Sequence, residues 1–137
     1  MEGLKVGEVA RRAAVNLQTI HYYERTGLLP RPARTASNYR VYPDDAVRRV
    51  RFIKRAQELG FTLKEIKELL HLRAAPRSCC SDVRRQAEAK LVDIEEKVRT
   101  LQAMRKALTK LIRECSGRGP VTACPILEAL DSGERKR

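Results

Sequence analysis

Apolar residues recur every three or four positions along most of the chain, which is the period of an amphipathic helix. Val6, Val9, Ala10, Ala13 and Ala14 predict a first short helix from Lys5 to Ala14. Asn16 is placed to cap a second, Leu17 to Arg25, and Gly27 ends it. Two short helices around a tight turn make a helix-turn-helix. From Gly27 to Pro43 the period changes: Pro30, Pro32 and Pro43 punctuate the segment, and Ser37-Asn38 signals a turn. Tyr39-Arg40-Val41-Tyr42 alternates and is rich in strand formers, which predicts a small two-stranded wing.

Pro43-Asp44-Asp45 opens a third helix with acids expected in its first turn. Val47, Val50, Ile53 and Leu59 supply its expected buried face, and Gly60 stops it. Thr62-Leu63-Lys64-Glu65 is a capping box that starts a fourth helix running to about Arg73. Pro76 marks a break. The longest element runs from about Ser81 to Glu114. Ala87, Leu91, Ile94, Val98, Leu101, Leu108 and Ile112 form a heptad seam on it, interrupted by Arg105. The short N-terminal helices of the same chain offer little to cover such a stripe. A second copy, parallel or antiparallel, is the natural cover, so a homodimer is expected. Ser116 to Pro120 reads as a loop, Ile126 to Leu130 as a short last helix, and 131–137 as a charged tail. The fold class is therefore mainly α. Residues 1–75 form a winged helix-turn-helix head, 76–115 a dimerisation helix, and 116–137 a loop with a short helix.

Composition narrows the function. The net charge is +12 over 137 residues, a surplus that draws a polyanion through counterion release. Aromatic residues are only 4% and Trp is absent, which argues against a large aromatic substrate pocket. No redox CxxC motif, no nucleotide-binding glycine loop and no paired acid and base stand out, so an enzyme is not expected. The start, Met1 to Arg12, lacks the apolar core of a secretion signal, and no run approaches a membrane span. A cytoplasmic location is expected. There, the four cysteines Cys79, Cys80, Cys115 and Cys124 favour metal ligation or redox sensing over structural disulfides.

Thr19, His21, Tyr22 and Arg25 lie on the second helix, where hydroxyl, imidazole and guanidinium groups can bond phosphates or base edges. Arg34, Tyr39 and Arg40 on the wing can clamp the flanking backbone. Adjacent helical residues do not share a face, so one of Tyr22 and Tyr23 must turn inward, and Tyr22 is expected to be the exposed one.

Val6-Gly7-Glu8-Val9-Ala10, Thr19 through Leu29, Asn38-Tyr39-Arg40-Val41-Tyr42 and Leu59 through Ile66 together resemble the MerR family of transcription regulators. The resemblance covers essentially the whole chain. His21 departs from it, since the family usually carries Arg there. The resemblance implies a head on a long antiparallel coiled-coil dimerisation helix. It also implies a promoter whose spacer is too long for RNA polymerase, and an effector that makes the dimer bend and untwist the DNA.

Within one straight helix Cys80 and Cys115 would stand roughly 50 Å apart at 1.5 Å per residue. In the implied antiparallel dimer, Cys80 of one chain joins Cys115 and Cys124 of the other. Three sulfurs with no His or carboxylate in the loop suit a soft ion, whereas zinc prefers a fourth ligand. The cysteine spacing and Cys124-Pro125-Ile126 resemble the mercury-responsive members. Mercury(II) is thus the expected effector, with lead(II) and cadmium(II) as alternatives and a thiol redox switch as the other reading. Cys79 is an auxiliary ligand, a relay for incoming metal or a bystander. His71 is expected to be a surface or interface residue rather than a ligand.

Overall fold

The computed structural model describes residues 3–37 and 39–132. Asn38 of the expected wing turn and the tail beyond residue 132 lie outside them. The elements are helices α1 (Val6–Ala13) and α2 (Leu17–Arg25), strands β1 (Ala33–Arg34) and β2 (Arg40–Val41), helices α3 (Ala46–Glu58), α4 (Leu63–Ala74) and α5 (Cys80–Glu114), a 3-10 turn (Val121–Ala123) and helix α6 (Pro125–Asp131). The chain divides into two compact units, Met1–Lys90 and Leu91–Arg137.

In the first unit, α1 packs on α2 and α3, and α3 packs on α4. Val9, Ile20, Tyr23, Leu28, Tyr42, Val50, Ile53 and Ile66 form the centre of its core. The tight α1–α2 connection depends on Ala14, which ends α1 in the left-handed region at φ 57. The Asn16 side chain then accepts the Thr19 N–H at 2.8 Å and starts α2. The two strands are antiparallel, with Ala33 opposite Val41 and Arg34 opposite Arg40. A further bridge ties Leu4 to Tyr42, so the segment before α1 extends the wing.

Two expectations for α3 need correction. Leu59 is 50% exposed rather than buried. The helix has already ended at Glu58, and Gly60 turns away at φ +93, so Phe61 packs against the core instead. The acids also precede the helix. Asp45 is its N-cap without a side-chain cap bond, and no acid falls in the first turn. The capping box of α4 forms as expected: Thr62 Oγ1 accepts the Glu65 N–H, and Glu65 accepts the Thr62 N–H.

Helix α5 spans 35 residues. In the single chain Leu91, Ile94, Val98, Leu101, Leu108 and Ile112 on its seam are between 37% and 64% exposed. This stripe is therefore an exposed apolar face of the helix. Among the described residues no helix is long and apolar enough to cross a membrane.

Candidate DNA-reading surface and thiol site

Helix α2 and the wing present a basic groove lined by His21, Glu24, Arg25, Arg31, Pro32, Arg34 and Arg40. Four of the seven DNA-binding residues expected from sequence, His21, Arg25, Arg34 and Arg40, thus converge. Tyr22 is 41% exposed while Tyr23 is 2% exposed, as expected. The buried Tyr23 hydroxyl donates to Gln57 Oε1 at 2.7 Å, and burial pushes its pKa up. The Arg25 guanidinium sits 5.9 Å from the Tyr22 ring centroid, and Lys5 sits 4.9 Å from that of Tyr39. The Thr19 hydroxyl donates to Asn16 Oδ1 at 2.9 Å, so here it serves the helix cap.

Glu24 organises this groove from within. Its side chain is only 10% exposed, takes the Tyr42 hydroxyl as a hydrogen-bond donor, and stands 3.8 Å from the Arg40 guanidinium. Helix α2 and the wing are thereby joined through one carboxylate. Arg49 adds a second tie by donating to the Leu28 carbonyl at 2.8 Å. Sequence reasoning missed Glu24, Arg31 and Lys5. For Glu24 a signal existed: it lies one turn beyond His21 on α2 and so shares its face.

The thiols divide between the two units. In the second, Cys124 caps the start of α6. The Leu127 and Ile126 backbone N–H groups and a hydrogen bond from Cys115 hold its thiol below the ordinary range, with the Leu127 contribution largest. Cys115 follows directly on the end of α5 and is half-buried. In the first unit, Cys80 is exposed and is the first residue of α5. Cys79 precedes the helix. Its N–H reaches Asp82 Oδ2 at 3.1 Å, its sulfur lies 2.8 Å from the Ser81 hydroxyl, and its thiol faces Asp82 at 3.6 Å. Cys79 is thus engaged with the first turn of α5. Within one chain and among the described residues, no three His, Cys, Asp or Glu side chains gather into a metal site. His71 is exposed on α4, as expected.

Comparison with known proteins fits this arrangement. The family model described as MerR HTH family regulatory protein matches residues 4–72, and the one described as MerR, DNA binding matches residues 47–111. The chain is 41% identical to the mercuric resistance operon regulatory protein of Bacillus cereus, covering 92% of this chain and 96% of that protein. A transcription regulator of Ralstonia metallidurans, solved in complex with lead(II), superposes with a TM-score of 0.81 at 35% identity, covering 93% of this chain and 98% of the other. The dual-function regulator MerR of Bacillus megaterium, solved with mercury(II), gives 0.69 at 36% identity, covering 93% and 99%. With the family models together spanning residues 4–111 and these relatives covered almost end to end, the chain belongs to the MerR HTH family of transcription regulators.

Proposed function

We propose that this chain is a mercury(II)-responsive, cytoplasmic transcription regulator that sits on promoter DNA as a homodimer. The observation that carries the reading is the placement of Cys115 directly after α5 and Cys124 directly before α6, in a chain 41% identical to a mercuric resistance operon regulatory protein. That pair is a soft donor set. It lacks the third sulfur that a trigonal thiolate site needs, and the partner subunit's Cys80 supplies it. The uncovered stripe on α5 gives the second copy its seat. The donor chemistry fits a soft ion: thiolates dominate, and the Glu128 carboxylate opposes ionisation of Cys124.

In this reading residues 1–75 bind DNA, 76–115 dimerise and 116–137 complete the metal site. Thr19, His21, Tyr22 and Arg25 face the major groove from α2, and Arg34, Tyr39 and Arg40 hold the flanking backbone. Metal binding favours one of two states of the dimer on DNA, and that state distorts the promoter so that RNA polymerase can use it. The chain acts as a regulator and not as a catalyst. Lead(II) is the second reading, favoured by the superposition on the lead(II)-bound regulator.

Titration of the reduced full-length protein with mercury(II), lead(II), cadmium(II) and zinc(II), followed by thiolate-to-metal absorption, tests this. Mercury(II) is expected to win against a competing thiol, and Cys80→Ala, Cys115→Ala and Cys124→Ala are each expected to lose the three-sulfur spectrum. A Cys80→Ala protein that binds like wild type would exclude the cross-subunit site.

A further inference from the structure

Lys90 is the one buried charged residue among the described residues, at 6% exposure. It lies on α5, ten residues beyond Cys80, which is about 15 Å at 1.5 Å per residue. Its ammonium group reaches Glu65 Oε1 at 2.8 Å and lies 5.8 Å from the Phe61 ring centroid. Glu65 is the capping-box glutamate of α4, and the same oxygen accepts the Thr62 N–H at 2.7 Å. One helical turn earlier on α5, Gln86 donates to Glu68 at 3.2 Å. Gln86 and Lys90 stand four apart and share a face of α5, while Glu65 and Glu68 stand three apart and share a face of α4. The sensing helix is therefore joined to the DNA-binding head at two points, and the buried one ends in a helix cap.

Packing alone does not account for the charge. A Met or Leu would fill the same space without the cost of desolvating an ammonium group. What the ion pair adds is registry, because only one rotation and one height of α5 on α4 bring Nζ to the cap. We infer that Lys90 is a positioning residue that couples the sensor to the DNA reader. A shift of α5 on metal binding drags the cap of α4, and the head with it. This inference rests on the metal-sensing reading above.

The test uses full-length dimer carrying Lys90→Met, Glu65→Gln or Lys90→Arg. Glu65→Gln keeps an acceptor for the Thr62 N–H and removes only the charge. Three readouts are taken: mercury(II) uptake by thiolate absorption, operator affinity without metal, and metal-dependent transcription in vitro. Lys90→Met and Glu65→Gln are expected to take up mercury(II) and bind operator as wild type does, yet lose about tenfold or more of the metal-dependent activation. Lys90→Arg, which keeps the cation, is expected to restore most of it. A merely structural role would lower uptake and operator affinity alongside activation, and that result overturns the inference. Full activation in both Lys90→Met and Glu65→Gln also overturns it, and leaves the metal reading standing. A wild-type protein that takes up no mercury(II) sinks the metal reading and the coupling with it.

Discussion

The Tyr42 hydroxyl donates a hydrogen bond to the Glu24 carboxylate, joining the end of the wing to α2. The tyrosine ring is buried, and the carboxylate is almost so. The Arg40 guanidinium stands 3.8 Å from the other carboxylate oxygen and is half-exposed, so this long ion pair adds little by itself. The hydrogen bond is therefore the stronger of the two ties.

Tyr42→Phe removes that donor and keeps the ring. The protein is expected to lose about 1–3 kcal/mol of stability, the usual cost of leaving a buried acceptor one partner short. Urea denaturation measures it. Operator affinity should fall as well, because the wing is no longer fixed relative to α2. A variant with unchanged urea midpoint and unchanged affinity would show that the bond contributes nothing to either.

Acid should loosen the joint between α4 and α5. Lys90 foremost, and then the Thr62 backbone N–H, hold the Glu65 carboxyl below its ordinary range. A carboxyl whose folded-state pKa is depressed contributes stability above its unfolded pKa and loses it as pH falls through the folded one. The window thus opens near the ordinary Glu value of about 4.3 and extends below it. Wild type is expected to lose stability steeply below about pH 4. Glu65→Gln should lose less over the same range, although it starts from a lower value at neutral pH. Parallel pH profiles for the two proteins would remove Glu65 as a cause.

Much of this was legible in the sequence because its signals are local. A cap residue, a period of 3.6 and a glycine at a helix end each act within one turn. The bounds of α2, the capping box of α4 and the span of α5 therefore match expectation within a residue or so. What was not legible depends on contacts distant along the chain. Leu59 has the right phase for the α3 core, yet the helix stops one residue short of it. Glu24 reads as a surface acid until Tyr42, 18 residues on, is seen to donate to it. Lys90 carried a faint signal: it falls three after Ala87 and four before Ile94, so it occupies an apolar phase. Its partner could not be named without the fold. The thiols read as ligands in the sequence, and in the proposed dimer their grouping would belong to the assembly and not to one chain.

Salt dependence separates the roles proposed for the basic residues. A side chain that neutralises one phosphate contributes about 0.9 to the slope of log K against log salt. Arg40, on β2 at the rim of the groove, is placed to do that. Arg40→Ala is expected to weaken operator and unrelated duplexes by similar factors and to flatten the slope by about one. Arg25 closes the last turn of α2 beside the exposed Tyr22, where it can reach base edges. Arg25→Ala is expected to cost operator about 1–3 kcal/mol while sparing unrelated DNA, because a lost base contact removes discrimination more than attraction. Fluorescence anisotropy with both duplexes at several salt concentrations distinguishes the two. Equal losses on operator and unrelated DNA for Arg25→Ala would assign that residue to the backbone, and the reading of sequence would then fall to His21 and Tyr22.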